Sequence, residues 1–164
     1  MNVINELLHE SDDNLSFYFH QSEDYQTKNL QNATRYIPNS AGLYLVFSEK
    51  TTLGDHSHLT YTINNKEYEL CYFGKAGGTT KQGKLLAQGL NGRINNVVSD
   101  RSLNLKDIKR AKYWNIIMQN HDIDKFYVRC IQIVEPQNNE DEIYFELDSK
   151  NLKYPLMNKY RGRK

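Results

Sequence analysis

Apolar positions first recur at helical spacing. Ile4, Leu7 and Leu8 share one side of "NVINELLHE", and "LSFYFHQ" adds apolar bulk, so residues 3–31 read as helical in pieces. The cluster "IPNSAG", with Pro38, interrupts this pattern. "GLYLVFS" is an unbroken apolar, β-branched and aromatic run, the signature of a buried strand. "LTYTI" and "EYELCYFG" alternate with period two. They are joined by Asn64-Asn65-Lys66, which predicts a hairpin because asparagine tolerates the positive φ of tight turns. Leu86, Leu90, Ile94 and Val97 return to helical spacing, and Asn104 is placed to cap a helix through "LKDIKRAKYWNIIMQ". "KFYVRCIQIV" predicts a strand with Phe126, Val128, Cys130 and Gln132 on one face and Tyr127, Arg129, Ile131 and Ile133 on the other. A last helix is expected after Asn138 or Asn139. Glu140, Asp141 and Glu142 would form its first turn, and it would end before Pro155. Strands, helix, helix, strand, helix predict an α+β domain: a small, mostly antiparallel sheet flanked by helices.

Composition narrows this only slightly. A length of 164 residues suits one compact domain, and 38% hydrophobic with 25% charged residues is a globular balance. No run of about 18 apolar residues predicts a membrane span, and no secretory signal is legible, so a cytoplasmic protein is expected. Cys71 and Cys130 sit inside apolar strand runs and read as buried free thiols. His56-x-His58 is an isolated pair in a polar stretch and predicts no zinc site.

Charge changes the picture more. The net charge of +1 conceals blocks of −6 (residues 1–24), 0 (25–73), +7 (74–112), −6 (113–148) and +6 (149–164). Two basic segments separated by an acidic one predict a polarised surface and, if they meet, a footprint for a polyanion.

The first basic segment opens with "YELCYFGKAGGTTKQGKLLAQGLNGR". Gly78, Gly83 and Lys84 match part of a phosphate-binding P-loop, but Leu85 stands where that loop needs a hydroxyl for magnesium. A different pattern extends over more of the chain. Gly42-Leu43-Tyr44 and Tyr72-Phe73-Gly74 lie in two strand runs, Lys75 follows the second, and Leu90-x-x-Arg93 lies on a helix-like stretch. Glu146 is followed by Pro155 nine residues later and Asn158 twelve later. These elements, over residues 42–158, resemble the GIY-YIG nuclease family, and the long stretch between the tripeptides is similar to its restriction-enzyme members.

The resemblance implies a magnesium-dependent DNA endonuclease, with manganese as a substitute ion. It implies Tyr44, Tyr72, Arg93, Glu146 and Asn158 as catalytic residues and Glu146 as the metal ligand. Lys75, Lys81, Lys84, Arg161 and Arg163 are the expected DNA contacts. Residues 1–40 would be a helical extension available for DNA recognition or dimerisation, and residues 41–164 the catalytic domain. A site-specific type II restriction enzyme, acting as a homodimer on double-stranded DNA, is the leading expectation. The alternatives are a mobile-element or repair nuclease, a non-cleaving DNA- or protein-binding module, and a nucleotide-binding enzyme using the Gly78–Lys84 loop.

The chemistry is coherent apart from the resemblance. Phosphodiester hydrolysis needs a proton acceptor for water, a positioned phosphate and neutralised charge. The lysines and Arg93 are expected to lower the ordinarily high pKa of Tyr72. Arg93 offers a planar fork for phosphate oxygens, and Glu146 a hard oxygen for magnesium.

Overall fold

The computed structural model describes residues 3–10, 15–22, 27–49, 60–80 and 82–158. Lys81, Arg161, Arg163, His56 and His58 lie outside the described residues.

The five-stranded sheet is antiparallel throughout. Its strands are β1 (Ser16–His20), β2 (Gly42–Glu49), β3 (Thr60–Ile63), β4 (Lys66–Ala76) and β7 (Lys125–Gln132), in spatial order β1-β7-β2-β4-β3. A separate two-stranded ribbon pairs β5 (Val97–Asp100) with β6 (Leu105–Lys109). The described residues also form five α-helices: α1 (Val3–Glu10), α2 (Thr27–Ala33), α3 (Leu90–Ile94), α4 (Arg110–Asn120) and α5 (Pro136–Ser149). This is the expected α+β architecture. No helix among the described residues is long and apolar enough to cross a membrane.

β2 is the central strand and carries core on both faces, which explains its unbroken apolar run. Leu43, Leu45 and Phe47 join Ile4, Ile143 and Leu147 under α1 and α5. Tyr44 and Val46 join Phe126, Val128, Cys130, Trp114 and Met118 under α4. The alternation expected along β7 is present: Phe126, Val128 and Cys130 belong to one cluster and Tyr127 and Ile131 to the other. Asn64 and Asn65 close the β3–β4 hairpin with φ of 52° and 65°, the paired positive angles of a primed turn. Both cysteines are buried free thiols, and burial pushes each up to about 12.

Several elements differ from the sequence expectation. Residues 16–20 form an edge strand on β7, not helix; aromatic side chains alternating in and out suit a half-buried strand. The long helix expected over 84–98 shrinks to the five residues of α3. Leu86 is exposed before it, and β-branched Val97-Val98 begin the ribbon after it. Asn104 does not start a helix; with φ of 54° it closes a short 3-10 turn between the ribbon strands. The last helix starts earlier than expected, at Pro136, whose ring presets the φ of a first turn.

Two irregularities shape the site. Val46 faces Tyr72 across the sheet, while its neighbour Phe47 faces Leu70, so Cys71 is an extra residue in β4. Tyr68 and Leu70 point towards α1 and α5. This bulge reverses the alternation, and Tyr72 lands on the opposite face, beside Tyr44. Moreover, β3 pairs with β4 only as far as Glu69, so that no strand among the described residues covers the later part of β4 on that side. There the Met157 N–H donates to the Cys71 carbonyl at 2.8 Å, and the Asn158 side chain holds Phe73.

Candidate active site

A cavity of about 1630 Å³ opens along this part of β4. Tyr72, Lys75, Arg93, Glu146 and Asn158 all line it, although they come from one strand, two helices and the segment after α5.

The two tripeptides meet on β2 and β4, where Tyr44 pairs with Gly74. The Tyr44 and Tyr72 rings lie 5.5 Å apart, tilted by 37°. A Cβ at Gly74 would sit 2.6 Å from Tyr72 Cε2 and 3.0 Å from Tyr44 Cζ, so only glycine leaves room for both rings. At Gly42 a Cβ would fall 2.1 Å from the Ile131 carbonyl oxygen and 2.9 Å from Leu90 Cδ1. That glycine lets β2 pass between β7 and the helix that carries Arg93. The tyrosines differ in access. Tyr44 is fully buried, while Tyr72 is partly exposed and lines the cavity.

Tyr72 corrects one expectation: its phenol is pushed well above the ordinary value, not below it. Burial is the main cause and the Tyr44 phenol adds to it; the guanidiniums of Arg110, then Arg93, pull the other way without reversing the shift. At neutral pH Tyr72 is therefore a neutral hydrogen-bond donor in the resting protein.

Five residues of helix are too few to persist alone, so α3 is held by its neighbours. The Gly92 N–H donates to Asn39 Oδ1 at 2.9 Å, and the Leu90 N–H donates to the Ser40 carbonyl at 2.8 Å. Asn91 Nδ2 reaches the carbonyls of Thr34 and Ile37 at 2.9 and 3.0 Å. These bonds present Arg93 at the exposed side of the cavity.

Glu146 is half-buried on α5. Its Oε1 accepts from the Val3 N–H and from Lys150 Nζ, both at 3.3 Å, and its Oε2 is buried with no partner. Asn158 is buried: Oδ1 accepts from the Phe73 N–H and Nδ2 donates to the Phe73 carbonyl, both at 2.9 Å, with a longer 3.4 Å contact to the Tyr144 hydroxyl. It pairs with β4 as a strand residue would, holding the backbone between Tyr72 and Gly74. Lys75 lines the cavity, whereas Lys84 is exposed on the loop between β4 and α3 and does not.

Two cavity residues were not singled out by sequence. Glu140 is half-buried, and its carboxyl is raised by burial while the charges of Lys75 and then Arg93 oppose the rise. Arg110, at the start of α4, is buried and lines the same space. Arg110 falls inside the +7 block, but the helix expected through it hid the strand-to-helix break that turns it inward.

The Gly78–Lys84 loop lacks the setting of a P-loop. It follows an antiparallel strand, and α3 begins only at Leu90. It closes on itself through Thr80 N–H to the Lys84 carbonyl at 2.8 Å, and Glu135 Oε2 occupies the Thr79 hydroxyl at 2.9 Å.

No group of three or more His, Cys, Asp or Glu suited to a metal occurs among the described residues. The orphaned Oε2 of Glu146 is still compatible with magnesium, which takes one or two carboxylates and completes its shell with phosphate and water. No family model matches this chain, and neither curated proteins nor solved structures give a match.

Proposed function

We propose that this chain is a magnesium-dependent DNA endonuclease of GIY-YIG type, acting as a site-specific restriction enzyme and as a homodimer on double-stranded DNA. The observation that carries this reading is convergence. A phenol, a guanidinium, a lysine and a carboxylate with an orphaned oxygen, spread from Tyr72 to Glu146 along the chain, line one cavity.

In this reading Arg93 binds non-bridging phosphate oxygens through its planar fork and offsets the charge of the pentavalent transition state. Lys75 adds a second cation. Tyr72 donates its hydrogen bond to the phosphate or the attacking water. It accepts the water proton once it is in the phenolate form, a form favoured when positive charge gathers in the site. Tyr44 backs the Tyr72 ring, and Asn158 fixes the strand beneath it. Glu146 would hold magnesium, and the ion would supply neutralisation of phosphate and leaving-oxygen charge. Overall, a water oxygen bonds to phosphorus, one phosphorus–oxygen ester bond breaks, and the departing oxygen ends with a proton.

Incubation with mixed-sequence duplex DNA and magnesium tests the reading. Discrete fragments that disappear with Arg93→Ala support it; intact DNA across magnesium, manganese and a range of salt overturns it. A second reading, a non-cleaving DNA-binding module, draws on the neutral Tyr72 phenol and on the Lys150 contact to Glu146. Tight duplex binding without turnover in either metal would select it.

A further inference from the structure

Arg110 is an energetic anomaly. Its residue exposure is 5%, and its Nε is buried with no hydrogen-bond partner. Among the described residues it makes no hydrogen bond or ion pair, and its Cζ stands 5.8 Å from the centroid of the Tyr44 ring. A guanidinium removed from water without a counter-charge is strongly unfavourable. Its position adds to the cost. Arg110 opens α4, so its positive charge sits at the positive end of the helix dipole, and no acid stands in the first turn. Lys109, the N-cap, gives no side-chain acceptor to the first turn's N–H groups. Burial, an unpaired charge and the wrong helix end all point the same way: the position favours an anion. The buried acid that lines the same cavity, Asp100, is already engaged by the Ser102 N–H at 3.0 Å, the Ser102 hydroxyl at 2.6 Å and the Tyr113 hydroxyl at 2.7 Å.

We propose that Arg110 is a second phosphate-binding residue, gripping the same DNA backbone phosphate as Arg93 from a different helix. Both guanidiniums line the cavity, and both act electrostatically on the Tyr72 phenol, Arg110 more strongly. The two cations therefore converge on the place where a phosphate would meet Tyr72. Arg110 is buried and Arg93 exposed, so Arg110 forms the floor of the phosphate site and Arg93 its mouth. This inference rests on the nuclease reading for its substrate, yet it can be tested apart from cleavage.

The test compares wild type with Arg110→Met, which keeps bulk and loses charge, and Arg110→Lys, which keeps charge and loses the fork. Thermal melting is measured without DNA. Affinity for a short DNA duplex is then measured in calcium at several salt concentrations, and single-turnover cleavage in magnesium. Without DNA, Arg110→Met should melt at or above the wild-type temperature, because an uncompensated buried charge is gone. Its slope of log affinity against log salt should flatten by about one. Cleavage should fall about 100- to 1000-fold, with Arg110→Lys between the two. A lower melting temperature for Arg110→Met with an unchanged salt slope overturns the inference and makes Arg110 structural. Cleavage by Arg110→Met at the wild-type rate overturns it while leaving the nuclease reading intact. A wild-type chain that binds duplex with an Arg110-dependent slope but never cuts supports the inference and sinks the nuclease reading.

Discussion

Replacing Asn158 by alanine removes the partner of two buried backbone groups. Phe73 is 1% exposed, and its N–H and carbonyl each bond to the Asn158 side chain at 2.9 Å. Among the described residues no strand pairs there, because β3 stops pairing at Glu69. A buried group left without its partner costs about 1–3 kcal/mol, so the pair sets a range of about 2–6 kcal/mol. Water can enter the vacated space beside the cavity, which places the expectation at about 3 kcal/mol. That is a large share of the roughly 5–15 kcal/mol that holds a domain together. It corresponds to a fall of about 6–12 °C in melting temperature for a chain of this size. Urea denaturation of wild type and Asn158→Ala measures it, with the slope m checked to be equal. Asn158→Asp sharpens the test. The new carboxylate can accept from the Phe73 N–H but must face the Phe73 carbonyl, so its folded pKa should rise above the ordinary value near ~3.9. A raised folded pKa gives stability that is complete below the unfolded pKa and lost as pH rises through the folded one. Asn158→Asp should therefore be closest to wild type near pH ~4 and weaken towards neutrality. A loss under about 1 kcal/mol for Asn158→Ala would refute the argument that this side chain completes the sheet edge.

Three further outcomes follow from the same geometry. Gly74→Ala drives a methyl into the Tyr72 and Tyr44 rings; it should cost about 1–3 kcal/mol in denaturant titration and, by shifting Tyr72 about 1 Å, roughly 100-fold in cleavage rate. Glu146→Gln should keep the Val3 contact and the fold while abolishing cleavage. Glu146→Ala should also loosen α1 by about 1 kcal/mol, seen as faster hydrogen exchange in residues 3–10. Tyr72 has a raised phenol, so the cleavage rate should climb with pH through neutrality without a plateau if Tyr72 accepts the water proton; a plateau near neutral pH would hand that role to a carboxyl group such as Glu140.

Much of this protein follows from local pattern. The continuous apolar run of 43–47 read as a buried strand, which it is, and "KFYVRCIQ" alternates as its two cores require. Asn64-Asn65 specified a primed turn because both residues tolerate positive φ. The motif resemblance singled out Tyr72, Lys75, Arg93, Glu146 and Asn158, which do share a cavity. Tertiary structure decided the rest. Strict alternation would have carried Tyr72 to the same face as Tyr68 and Leu70; one extra residue at Cys71 turned it towards Tyr44, and a bulge is a property of two paired strands that a single strand's pattern does not contain. The pKa of Tyr72 rises because burial outweighs the cations nearby in sequence, and burial depends on the whole packed chain. Arg110 reads as one more charge in a basic block until folding removes it from water without a partner, because desolvation is fixed by what surrounds a residue in space, not by its neighbours along the chain.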